Sequence, residues 1–148
     1  MRPRPFKYKT GRRPTAWPVN RIRGKSEDER LEGFVRGKEA SELEERFARA
    51  LDGHKMRYVF QEIINTPYQV PGQKNEIDFI VDEFGTHPIE IDGTWIHKSP
   101  SQKSEDALRD AIIDDITSKW GWERIVRIPG NELESQDQAN KVAEELFT

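Results

Sequence analysis

Pro88-Ile89-Glu90-Ile91-Asp92-Gly93 is the stretch on which the reading of this chain turns. It has the alternation of a β-strand that ends abruptly. Ile89 and Ile91 point to one face, Glu90 and Asp92 to the other. Two carboxylates at i and i+2 of a strand lie roughly 7 Å apart, within joint reach of one divalent cation. Gly93 then frees the backbone to turn. Just upstream, Asn75 to Val81 reads as a second strand, with Ile77, Phe79 and Val81 on one face and Glu76, Asp78 and Ile80 on the other. Asp82-Glu83-Phe84-Gly85 joins the two as a hairpin, which brings Asp78 and Glu90 onto neighbouring strands. A carboxylate inside an apolar strand such as Ile77-Asp78-Phe79-Ile80-Val81 is costly unless something compensates it, and a cation would do so.

Working outward, Tyr58 to Ile63 reads as a further strand, followed by a turn-rich loop through Lys74. Before it, Ser41 with Glu44 three residues later is a capping box, and Leu43, Phe47, Ala50 and Leu51 recur at helical spacing up to Asp52-Gly53. At about 100° per residue, Glu44 falls at the edge of that apolar face and Glu45 points to solvent. Glu44 is therefore the acid of this helix that can lean towards a buried site, or it is only a cap. Ser26-Glu27-Asp28-Glu29 is a second capping pattern and predicts a short helix to about Arg36, weakened by Gly33 and Gly37.

After Gly93 come Thr94-Trp95-Ile96-His97-Lys98 and a polar loop through Lys103. Ala107 to Trp120 reads as a helix with Leu108, Ala111, Ile112, Ile116 and Trp120 near its inner face. Arg124 to Ile128 is a strand, stopped by Pro129-Gly130, and about Gln136 to Phe147 is an amphipathic helix. Trp95, Trp120 and Trp122 read as core or loop packing. The order helix, strand, strand, strand, helix, strand, helix predicts an α/β protein with a mixed sheet flanked by helices.

The 148 residues suit one domain of ordinary size. Equal hydrophobic and charged fractions, 34% each, leave a small core. The lack of Cys excludes disulfides, thiolate zinc sites and Cys nucleophiles. No apolar run approaches the ~20 residues of a membrane span, and no signal peptide is evident. The expectation is a soluble, intracellular, cytoplasmic protein with no membrane partner.

Charge is distributed unevenly. Nine of the 24 basic residues and none of the 27 acidic ones lie in residues 1–26: Arg2, Arg4, Lys7, Lys9, Arg12, Arg13, Arg21, Arg23 and Lys25. Pro3, Pro5, Pro14 and Pro18 argue against a helix there. Residues 1–38 thus read as an extended basic arm and 39–148 as the folded domain. A basic arm on an acidic body suits a phosphate-rich partner bound through counterion release, with Lys103 as an added contact. Phe6, Tyr8 and Trp17 either stack on bases or pin the arm to its own domain.

Paired carboxylates on adjacent strands are donors for Mg²⁺ or Mn²⁺, hard cations that take oxygen ligands. With the helix Ser41–Leu51, Asp78 in Glu76-Ile77-Asp78-Phe79, Glu90-Ile91-Asp92-Gly93, His97, and Gly121-Trp122 leading to Val126-Arg127-Ile128, the chain resembles the PD-(D/E)XK nuclease superfamily. It is most similar there to the small nucleases like very-short-patch repair endonucleases. The resemblance spans about residues 41–133.

It implies a restriction-endonuclease-like αβββαβ core with an added C-terminal helix, and Mg²⁺- or Mn²⁺-dependent hydrolysis of DNA phosphodiesters. It assigns Asp78 and Glu90 as metal ligands and Glu44 as an acid for a second ion. Asp92 stands where the family's Lys usually stands and becomes a further ligand. His97 resembles the catalytic His of the short-patch type, and Lys98 or Lys103 is placed to replace the missing cation. The partner implied is duplex, mismatched or branched DNA, met as a monomer or homodimer, with no small-molecule cofactor. The alternative is a nuclease fold that has lost catalysis and serves as a nucleic-acid-binding or assembly subunit.

Overall fold

A computed structural model describes residues 30–65, 75–93 and 97–147 of the chain. The basic arm up to residue 29 lies outside these, as does Trp95. The structure is mixed α/β: β1 (Phe34–Val35), β2 (Lys38–Glu39), α1 (Glu42–Gly53), β3 (Arg57–Ile63), β4 (Glu76–Asp82), β5 (Thr86–Asp92), α2 (Pro100–Ser118), β6 (Val126–Pro129) and α3 (Gln136–Phe147). The expected order of elements is present, preceded by a small hairpin. No helix among the described residues is long and apolar enough to cross a membrane. The chain divides into two compact units, one running to Arg57 and resuming at Gly130, the other spanning Tyr58–Pro129.

The first unit pairs α1 with α3. Ser41 caps α1 by accepting the Glu44 N–H, and Glu44 returns the bond to the Ser41 N–H. Phe47, Ala50 and Leu51 of α1 are buried, as are Ala139, Val142, Ala143, Leu146 and Phe147 of α3. Polar bonds set how the two helices meet: Arg46 Nη1 donates to the Leu133 carbonyl at 2.9 Å, and Gln136 Nε2 donates to the Arg46 carbonyl at 2.9 Å.

The helix expected up to Arg36 is instead the antiparallel hairpin β1–β2, with Arg36 and Gly37 at positive φ (52° and 82°). Glycine at the turn tolerates a conformation that breaks helical progression. Of the α1 acids, Glu44 is the cap, one of its two expected readings, while the expectation that Glu45 points to solvent is overturned. Glu45, not Glu44, is the buried one, 3% exposed. Its oxygens accept the Glu32 N–H at 3.0 and 2.9 Å and the Gly33 N–H at 2.8 Å, and Arg49 Nη2 approaches at 3.0 Å. The partners lie 12 and 13 residues upstream, where helical periodicity carries no information.

The second unit holds a four-stranded sheet of order β3-β4-β5-β6. β4 and β5 are antiparallel in the register Phe79↔Ile89 to Asp82↔Thr86. β6 runs parallel to β5, with Glu90↔Arg127 and Asp92↔Pro129 as partners. The β4–β5 turn has Phe84 and Gly85 both at positive φ (54° and 114°), which explains the glycine. Ile77, Phe79, Val81 and Ile89 are fully buried, and Phe79 packs against Tyr58 and Phe60 with ring centroids 5.6 and 5.0 Å apart.

Helix α2 differs most from expectation. It begins at Pro100 because Ser99 and Gln102 form a second capping box and proline at N1 gives up no helical bond. The stretch read as a polar loop through Lys103 is therefore its first turn. Its inner face is not the apolar stripe. Leu108 is 62% exposed and Trp120, past its end, 52%, while Ile113 and Thr117 are buried and Asp106, Arg109, Asp110 and Asp114 half-buried. Trp122 packs against the cluster of Ile64, Ile77, Ile80 and Ile113.

Candidate active site

The carboxylates of β5 and the inward stripe of α2 meet in one charged cluster. Glu90 and Asp92 alternate with Ile89 and Ile91, so both project to one face, and each is 5% exposed. At positions 106, 109, 110 and 113, spaced three and four apart, α2 presents Asp106, Arg109, Asp110 and Ile113 on one side. Arg127 of β6 is the register partner of Glu90.

The contacts are specific. Arg109 Nη1 donates to Glu90 Oε2 at 2.7 Å, and its Nη2 donates to the Glu76 carbonyl at 2.6 Å, so one guanidinium clamps β5 to the start of β4. Arg127 forms a forked pair with Asp110, Nε to Oδ2 at 2.8 Å and Nη2 to Oδ1 at 3.0 Å. Its Nη1 is 3.4 Å from Asp92 Oδ2, and its Nη2 is 2.9 Å from Glu90 Oε1. The last contact is an ion pair without hydrogen-bond alignment: Glu90 Oε1 is buried and accepts no hydrogen bond. Lys98 Nζ donates to Asp92 Oδ2 at 2.9 Å and also to Asp106 Oδ2.

The electrostatics follow. Burial pushes the Glu90 carboxyl up to about 7, with the neighbouring Asp110 charge adding to it and Arg109 and Arg127 opposing. Two guanidiniums thus fall short of what this carboxylate loses on leaving water. For Lys98, burial works against the charge, but the hydrogen bonds it donates to Asp106 and Asp92 prevail and hold it above the ordinary lysine value. The same balance keeps Arg127 above its ordinary value: burial opposes, and the Asp110 fork and the Glu90 charge outweigh it.

The structure brings Glu90, Asp92 and Lys98 together. Asp78 lies one residue beyond the β4–β5 register that starts at Phe79, and its Oδ2 accepts the Ile91 N–H at 2.8 Å. Continuing the register sets Asp78 opposite Glu90. His97 is exposed, next in sequence to Lys98, and Lys103 is half-buried in the first turn of α2. Glu44 belongs to the first unit, where it closes the α1 cap. The arm residues Arg2 to Lys25 lie outside the described residues. Sequence reading missed Asp106, Arg109, Asp110 and Arg127. The i, i+3, i+4 spacing of the first three was visible, but the apolar residues beside them outweighed it.

Among the described residues no group of three His, Asp or Glu side chains stands ready to hold an ion. The donors nevertheless fit a hard cation in kind. Asp78, Glu90 and Asp92 offer carboxylate oxygens from adjacent strands, but Lys98, Arg109 and Arg127 already pair with the last two. No family model, curated protein or solved structure matches the chain.

Proposed function

We propose that this chain is a metal-dependent DNA endonuclease of the PD-(D/E)XK kind, with the restriction-endonuclease-like arrangement of its strands and helices. One observation carries the reading. The strand position that holds a Lys in that superfamily holds Asp92 here, and Lys98 from the following loop brings its ammonium to that carboxylate at 2.9 Å. The sequence departs from the motif while a cation still stands at the same strand end.

Asp78, Glu90 and Asp92 are the residues that would hold Mg²⁺ or Mn²⁺. Such an ion supplies Lewis acidity toward a phosphoryl oxygen and a more acidic bound water. The protein's own groups divide the remaining work. Arg109 fixes Glu90 against the Glu76 carbonyl. Lys98, held protonated, suits neutralising or protonating the departing oxygen rather than accepting a proton. Exposed His97 is the candidate acceptor for the proton of the attacking water. The arm residues Arg2 to Lys25 supply sequence-independent attraction to phosphates.

The test is cleavage of duplex, mismatched, nicked and branched DNA with Mg²⁺ or Mn²⁺. Activity is expected to vanish in Asp78→Ala and to fall by about 10²–10⁴ in Lys98→Ala, the range of acid–base assistance. No cutting of any substrate, or full activity in Asp78→Ala, refutes the reading. A second reading, a nuclease fold retained for binding or assembly, is favoured by one fact: protein cations already pair with Glu90 and Asp92. Under that reading Mn²⁺ gives no calorimetric heat that depends on Asp78 or Glu90.

A further inference from the structure

We propose that the outward face of α2 is a homodimer interface, on which two copies of this chain pair antiparallel about a two-fold axis beside Ile112. The interface needs neither metal nor DNA and stands apart from the chemistry of the β5 cluster.

α2 is amphipathic, but its charged side faces inward. Asp106, Arg109 and Asp110 contact Lys98, Glu90 and Arg127 there. The apolar residues recur at four-residue spacing on another side: Leu108, Ile112 and Ile116, with Ala111 beside them. Leu108 is 62% exposed, Ala111 is exposed, and Ile112 and Ile116 are half-buried. Trp120, held edge-on to Trp122 with centroids 5.2 Å apart, extends this surface just past the helix end. Such a contiguous apolar row gains stability when a partner covers it.

Charge decides what covers it. Glu105 and Lys119 close the two ends of the row, and both are exposed. Lys119 follows the helix with helical dihedrals, φ −70° and ψ −18°, so the spacing carries through to it. At about 100° per residue, Glu105, Leu108, Ile112, Ile116 and Lys119 lie within about 40° of one line along the helix. Their steps are three, four, four and three, the same from either end. An antiparallel copy centred on Ile112 therefore matches every position. Ile112 lies against Ile112 of the partner subunit, Leu108 against the partner's Ile116, and Glu105 against the partner's Lys119. A two-fold interface demands this self-complementarity, here an apolar centre with opposite charges at each end. A parallel pair instead sets Glu105 on Glu105 and Lys119 on Lys119. A nucleic acid meets the acids Glu105 and Asp115 on the same face. The other exposed apolar pair of this unit, Val59 and Ile63, lies on the edge strand β3. Gln61 between them has φ 61°, which breaks the extended run that strand pairing needs.

The contact is one helix wide and about 28 Å long at 1.5 Å per residue. That is a small interface, so the dimer dissociates in the micromolar range. It carries two β5 clusters related by the same axis, one on the inner side of each α2.

The test is sedimentation equilibrium of the full chain from about 1 to about 300 μM, the span in which a contact of this size dissociates, with thermal melting to check each variant's fold. Wild type is expected to pass from monomer to dimer. Leu108→Glu is expected to weaken the dimer more than about tenfold, because the two-fold axis removes two leucines at once. Glu105→Lys and Lys119→Glu are each expected to weaken it about three- to tenfold by setting like charges together. Glu105→Lys moves the net charge from −3 toward zero, so bulk repulsion does not explain its weakening. The double variant Glu105→Lys/Lys119→Glu is expected to restore the wild-type constant. A wild type that stays monomeric overturns the proposal. So does a dimer that Leu108→Glu leaves intact, because its interface then lies elsewhere. A double variant no better than the singles also overturns it, because the antiparallel register then fails. If Leu108→Glu does not fold, the charge variants decide alone.

Discussion

Glu45 and Glu90 are both buried glutamates, 3% and 5% exposed, and the chain treats them in opposite ways. Glu45 is closed by backbone N–H groups of Glu32 and Gly33, with Arg49 alongside. Donors of that kind are fixed by the fold and cannot be exchanged for a ligand. Glu90 is held by side-chain guanidiniums, with one oxygen accepting no hydrogen bond and its carboxyl pushed up to about 7 by burial. The first arrangement stitches the hairpin β1–β2 to α1. The second keeps a charge under tension at the end of β5. Burial alone does not separate an acid closed by the backbone from one paired with side-chain cations; the kind of donor does.

The largest effect expected from that difference is on stability. Glu45→Ala strands backbone donors inside the first unit and is predicted to cost about 3 kcal/mol. Glu90→Gln keeps the shape and an acceptor for Arg109, removes a charge that burial disfavours, and is predicted to cost less than about 1 kcal/mol at pH 7. Denaturant unfolding of both variants measures this. Equal losses would erase the distinction.

The pH dependence sharpens it. The folded-state pKa of Glu90 is raised from 4.5 to about 7, so its protonated form is favoured in the fold. Its contribution is fully present below pH 4.5 and is lost as pH rises to about 7. The stability of wild type relative to Glu90→Gln should therefore decline across that window and level off above it. His54, in the first unit, has the opposite sign. Burial lowers its pKa below 6.5, with a backbone hydrogen bond to Asn140 opposing. The unfolded chain then takes up the proton first, so stability is lost as pH falls below 6.5, and His54→Gln should flatten that slope. Unfolding free energies from pH 4.5 to 8 check both.

The smallest effects concern the two capping boxes. Ser41→Ala and Ser99→Ala should each cost about 1 kcal/mol. Only the second should also disturb the proposed cleavage, since Ser99 starts the helix that carries Asp106 to Lys98. Equal effects of the two on activity would count against the Lys98 role.

Much of this was legible in the residues. The alternation of Ile77 to Val81 and of Ile89 to Asp92 set out β4, β5 and their acid face, and Ser41 with Glu44 marked the start of α1. What was not legible depended on partners far away in sequence. Glu45 looked solvent-facing because its donors lie in a hairpin that Gly33 and Gly37 create and that capping arithmetic read as a helix. In α2, Leu108 and Trp120 drew the reading toward an apolar inner face. The face that packs is the charged one, Asp106-Arg109-Asp110, because β5 opposes it with carboxylates. A stripe of charges reads as solvated until the opposing surface is known.

The most direct measurement is Mn²⁺ titration by calorimetry of wild type, Glu90→Gln and Glu45→Gln. The account predicts binding in wild type, binding retained in folded Glu45→Gln, and binding lost in Glu90→Gln. Equal Mn²⁺ affinity in all three proteins, or none in wild type, would contradict it.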